Sequence, residues 1–238
     1  MKVYQILLFG LSVSPFFTLA QLPSAAEVLE KSIAYHDPNG RWASFSGTLA
    51  IEMTLPKKGK RMSQLELNFP QRYFKSTVTQ EGTTIVSEWT NDNCAYWLNG
   101  SQDISAEQRK KYRLNCERTT QMRDYYIYLY GLPMKLKDPG TRLHPEVQKV
   151  NWRGTVYLRL RVDYDPAVGK DRWYFYFDPT NYQLRHYQFY HEEAKNDGEF
   201  ILLSEEIEIQ GMKIPKIRAW YTHKEERYLG TDVLVKGS

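Results

Sequence analysis

Hydrophobic and polar positions along this chain follow two periods, one near 3.6 residues and one of two, and the change falls near residue 44. Ala25, Val28, Leu29 and Ile33 recur at helical spacing. Ser24-Ala25-Ala26-Glu27 ahead of them reads as a capping box, the serine accepting from the amide three residues on and the glutamate reaching back. This predicts an amphipathic helix over 24–36, stopped by Asp37-Pro38-Asn39-Gly40. From Ser44 the alternation predicts strands at 44–55, 63–69, 72–79, 83–90 and 93–98, separated by connections too short for parallel crossovers.

A helical interlude follows. Ser105 can cap a helix from Ala106 to Leu114, and a second helix is predicted over 120–130, where Met122, Tyr126 and Leu129 share a stripe that Tyr125 borders. Residues 134–150, with Pro139-Gly140 and Pro145, read as a long surface loop. Strands then resume. In 154–165, Val156, Leu158, Leu160, Val162 and Tyr164 share one face and Tyr157, Arg159, Arg161 and Asp163 the other. Trp173, Phe175 and Phe177 alternate in the next strand, and strands at 182–191, 199–209, 212–222 and 227–235 complete the pattern. The reading is an α+β domain, a large antiparallel, incompletely closed barrel covered by a few helices.

The extreme N-terminus belongs to neither pattern. Met1-Lys2, an apolar run from Val3 to Ala20 and Thr18-Leu19-Ala20 before Gln21 predict a signal peptide over residues 1–20. The alternative is a short membrane anchor, against which Ser12, Ser14 and Pro15 interrupt the run. Cleavage leaves residues 21–238 as one domain, exported to the periplasm or cell envelope, with no cysteine placed for lipid modification. Lys2 is the one charge removed, so 31 of the 32 Lys and Arg remain against 28 Asp and Glu, a balance of +3. Such a balance supplies no strong field for nucleic acid. Cys94 and Cys116 are an even pair in an oxidising compartment, so a disulfide is expected, buried free thiols being the alternative.

Candidate chemistry is sparse. No phosphate loop, dinucleotide fingerprint, HExxH or GxSxG is present. His186 and His191 lie five apart on one predicted strand and so face opposite sides, which excludes a shared metal. Asp163, Asp165 and Asp171 gather around the Pro166–Lys170 turn, but their spacing is not that of a calcium loop. Neither metal nor cofactor is expected, and catalytic residues are not assigned.

Several segments resemble known sequences. Ser46-Gly47-Thr48-Leu49 after an N-terminal helix, then Leu67-Asn68-Phe69-Pro70-Gln71-Arg72-Tyr73-Phe74, resembles the opening of LolA-like lipoprotein carriers. Gly131 to Gly140, Val168 to Trp173, Phe177-Asp178-Pro179, Pro215 to Tyr221 and Tyr228 to Asp232 resemble a secreted Bacteroidota family with a LolA-like fold. That resemblance implies an open antiparallel barrel whose apolar face is covered by helices and can hold acyl chains.

On this reading the chain is a non-enzymatic, monomeric carrier or binding protein for a lipid, lipoprotein acyl chain or other apolar ligand, with transient membrane-surface contact. Val156, Leu158, Leu160, Val162, Trp173, Phe175 and Phe177 would line the cavity, with Tyr126 and Leu129 in its lid. The alternative is that these side chains pack on the helices and leave no cavity. Two further readings stay open: glycan or protein recognition by exposed Tyr174, Tyr176, Tyr187 and Tyr190, and a hydrolase built around Asp163.

Overall fold

The computed structural model describes residues 22–238; the predicted signal peptide lies outside them. Twelve strands form one sheet in which every neighbouring pair is antiparallel. They are β1 (Ser46–Leu55), β2 (Gly59–Asn68), β3 (Tyr73–Gln80), β4 (Thr83–Thr90), β5 (Asn93–Leu98), β6 (Thr141–Trp152), β7 (Thr155–Tyr164), β8 (Arg172–Phe177), β9 (Leu184–Glu192), β10 (Asp197–Ile209), β11 (Met212–Thr222) and β12 (Tyr228–Gly237). The order is β5-β4-β3-β2-β1-β12-β11-β10-β9-β8-β7-β6. Two meanders thus meet where the last strand returns between β1 and β11, and β5 and β6 remain as edges. The sheet is not closed into a barrel.

Three α-helices serve this sheet: α1 (Ala25–His36), α2 (Ala106–Tyr112) and α3 (Cys116–Tyr130). Each N-terminus has a side-chain cap, which satisfies amides that the helix leaves orphaned. Ser24 and Glu27 make the expected capping box, Ser105 and Gln108 make another, and Asn115 accepts from the Arg118 amide. The chain leaves edge β5, runs through α2 and α3 across one face, and enters at the opposite edge, β6. We call that face inner. It carries Leu49, Leu65, Phe74, Leu160, Phe175, Ile201 and Leu234, all fully buried. Burying such side chains contributes roughly 1.5–3 kcal/mol each.

Residues 134–150 are not a loop. After a short 3-10 turn at Met134–Lys137, the chain forms β6. Proline and alternating polar residues argue against a central strand, but β6 is an edge, and its register shifts between Leu143 and Val147, around Pro145. An edge strand with a bulge tolerates a residue that cannot donate.

Two tethers fix the ends of α3. Cys94 of β5 and Cys116 at its first turn are disulfide-bonded, with Cα atoms 5.6 Å apart. At its other end Gly131 passes so close to Trp42 that a Cβ there would lie 2.4 Å from the indole nitrogen. Between them Arg218, itself 1% exposed, lies over the Tyr130 ring at 4.1 Å and donates to the carbonyls of Pro215 and Leu129 at 2.7 and 3.4 Å. α1 closes the other end of the inner face. Its fully buried His36 accepts from the Leu184 amide at Nε2 and donates from Nδ1 to the Lys213 carbonyl, and burial pushes its pKa down, keeping it neutral.

Candidate functional site

The predicted cavity residues divide into three groups. Leu158, Leu160, Val162, Phe175 and Phe177 are at most 4% exposed and are packed into the hydrophobic core, as is Tyr126 of α3. Val156 points to the same side but sits at the strand's start, exposed. Leu129 and Trp173 alone of the predicted set border an open space.

That space is a cleft of about 840 Å³ between α3 and the inner face. Its helix wall is Tyr125, Tyr128 and Leu129. Its sheet wall is Trp173 of β8, Phe189 of β9, Trp220 of β11 and Met53 of β1, with Leu229 at the β12 end. The volume is within the range of about 300–1,000 Å³ usual for small-molecule sites.

Strand register explains the composition of the sheet wall. Val162, Trp173, Phe189 and Glu199 are directly opposite one another in successive strands, so all four side chains share one rung of the inner face. The Trp173 and Phe189 ring centroids are 4.7 Å apart. Gly198 allows the bulge that brings β10 to this rung; a Cβ there would lie 1.9 Å from the Phe189 carbonyl oxygen. The adjacent rung, Leu160, Phe175, Tyr187 and Ile201, is solid core.

On the helix, Tyr125 lines the cleft and is 41% exposed, its ring inclined 27° to that of Trp220 with centroids 6.5 Å apart. Burial raises its pKa well above the ordinary tyrosine value. Tyr128 packs edge-on against Trp173 and shares a 2.5 Å hydrogen bond with the Tyr164 hydroxyl. Desolvation raises the Tyr128 pKa too, so both hydroxyls are neutral at physiological pH. Glu199 is the polar member of the sheet wall, and burial raises its carboxyl pKa.

The two other constellations of the sequence come apart. Tyr187 faces the inner core, while Tyr174 and Tyr176 face outward but are buried, so they offer no exposed tyrosine platform. Tyr176 is covered by His186, stacked at 3.9 Å, and Tyr174 donates to Glu193 beneath the Arg159 guanidinium. Of that set Tyr190 alone is partly exposed, and it stacks on His223. The carboxylates around Pro166 each have a basic partner: Asp163 has Arg161, Asp165 has Arg142, and Asp171 has His191. Among the described residues no group of His, Cys, Asp and Glu is arranged to hold a metal.

Phe189, Trp220, Met53 and Glu199 were not predicted as site residues. Alternation placed Trp220 and Phe189 on strands, but register across strands decides which rung is left uncovered, and register is a property of pairing.

Residues 4–237 match the model of a family of unknown function, DUF6503. The chain belongs to that family. No curated protein matches its sequence. Among solved structures, this DUF6503 member is similar to a LolA superfamily protein from Nitrosomonas europaea, with a TM-score of 0.51 and 13% identity over 91% of this chain and 94% of that one. A putative outer membrane lipoprotein-sorting protein domain from Vibrio parahaemolyticus scores 0.48 at 12% identity over 89% and 90%. A DUF1329 family protein from Desulfovibrio piger scores 0.47 at 9% identity over 90% of each. The first of these fixes the fold as LolA-like.

Proposed function

We propose that this protein is an exported, non-enzymatic carrier or binding protein for an apolar ligand, a lipid or a lipoprotein acyl chain, in the periplasm or envelope. The observation that carries this reading is the 840 Å³ cleft, walled by six aromatic side chains where the neighbouring rung of the same sheet is filled. A water-filled apolar space costs free energy, and each methylene moved into it from water gains about 0.8 kcal/mol. The LolA-like fold shared with the Nitrosomonas europaea protein is in keeping with this reading. The Cys94–Cys116 disulfide supports export, since such bonds persist in oxidising compartments. Residues 1–20 are the proposed signal peptide and 21–238 the functional domain, acting as a monomer that touches the membrane surface to exchange ligand.

The test is native mass spectrometry of gently purified protein, together with titration by the neutral fluorescent probe N-phenyl-1-naphthylamine. Co-purifying lipid and saturable probe uptake at one site per chain are expected. A bare protein that leaves the probe's fluorescence unchanged would overturn the reading.

A further inference from the structure

The rim of the cleft has a sign. Asp124, Asp138, Asp171 and Glu199 border it against a single cation, Lys135, on a chain whose formal charge is +4. Three of these carboxylates have partners: Asp138 pairs with Lys135, Asp124 with Arg123 at 2.7 Å, and Asp171 with His191 at 2.8 Å. Glu199 differs. Among the described residues no side chain donates to it, its nearest charged influence is His191, and burial penalises its ionised form. It is also the one carboxylate on the aromatic rung, directly opposite Phe189, which is itself directly opposite Trp173.

An anionic head group entering here would meet Glu199, which has no side-chain partner, inside a rim where the other three carboxylates are already paired, and like charges repel in a cleft of low dielectric. A cationic head would meet the opposite: a carboxylate with no side-chain hydrogen-bond partner on the same rung as two aromatic rings, the pairing of charge and aromatic surface that recognises ammonium groups. We propose that the cleft selects amphiphiles with a cationic head, an amine or quaternary ammonium, held by Glu199 against the Trp173–Phe189 pair while the tail lies under α3. This rests on the carrier reading and names its ligand class.

Calorimetric titration of the whole protein with dodecyltrimethylammonium, dodecyl maltoside and dodecyl sulfate, each below its micelle threshold, separates the possibilities. The expected order places the cation at least tenfold tighter than the sulfate, with the uncharged maltoside between them. Glu199→Gln should lower the ratio of cation to maltoside affinity about tenfold, and Glu199→Lys should place the sulfate above the cation. Thermal unfolding checks that both variants fold; if either does not, the wild-type order decides. Maltoside binding with no advantage for the cation over the sulfate, or a ratio unchanged in Glu199→Gln, overturns the head-group selection and leaves the carrier reading standing. Absence of binding by all three overturns both.

Discussion

Phe175 and Trp173 are two residues apart on β8, face the same side and are both aromatic, yet one is fully buried core and the other is the wall of a cleft. The same step separates Tyr187 from Phe189 on β9 and Ile201 from Glu199 on β10. One rung of the inner face is filled and its neighbour, beyond the buried Val162 at its β7 end, is open. Nothing intrinsic to the residues makes the difference; the cover does. Toward the filled end the sheet is capped by α1, with His36 bonded to Leu184, and by the Arg218-bonded end of α3. Toward the open end, α3 presents Tyr125 and Tyr128, whose rings hold the helix off the sheet without filling the gap. Large rigid side chains on a helix flank are thus a means of keeping a cleft open.

The comparison breaks most sharply at Leu160, on the filled rung. Replacing it with lysine puts an ammonium with no counter-charge into a fully buried apolar position. The expected loss exceeds about 5 kcal/mol, above the range of roughly 2–5 kcal/mol for truncation to alanine at such sites. Denaturant titration should find Leu160→Lys unfolded and Leu160→Ala folded but weakened. A folded lysine variant would mean that this rung, too, borders free volume.

Second in size is the tether of α3. The cysteines are 22 residues apart, and closing such a loop is worth about 3 kcal/mol by the chain-entropy relation. Cys94→Ala with Cys116→Ala should lose about that much, and because the disulfide anchors the helix that roofs the cleft, probe affinity should fall as well. Urea unfolding and N-phenyl-1-naphthylamine titration read the two effects separately. Lost stability with unchanged probe binding would show that the Arg218 end alone positions the roof.

The filled rung and the elements around it were legible in the sequence, and the open rung was not. Alternation in 154–165 and 172–177 identified the inner face, because a residue's side of a strand depends on parity alone. The capping box placed α1 to within a residue, and the stripe of Met122, Tyr126 and Leu129 found α3, although its first turn begins at Cys116, earlier than predicted. The prediction treated a whole apolar face as lining. Openness depends on which rung the helix covers, and that follows from where α3 enters at Cys116 and leaves at Gly131. β6 was missed because Pro145 mimics a loop signal that only an edge position overrides.

The smallest expected change in stability, and the sharpest test of the difference between the rungs, lies on α3 itself. Leu129 and Tyr125 both touch the cleft, but Leu129 is 2% exposed and also packs in the core, whereas Tyr125 is 41% exposed. Leu129→Ala should therefore cost about 2–5 kcal/mol of stability, as core truncations do. Tyr125→Ala removes a ring that rests on Trp220 with much of its surface free, so the fold should lose no more than about 1 kcal/mol. Ligand binding should respond the other way. An aromatic contact is worth about 0.5–1.5 kcal/mol beyond its area, so the loss of Tyr125 should weaken neutral-probe binding about two- to twelvefold. Thermal unfolding and N-phenyl-1-naphthylamine titration of the two variants give four numbers that fix the roles. If Tyr125→Ala unfolds the protein, its ring is core and the cleft is narrower than it looks. If it stays folded and binds the probe as tightly as the parent, the ligand lies elsewhere, and the separation of one inner face into a filled rung and a binding rung fails with it.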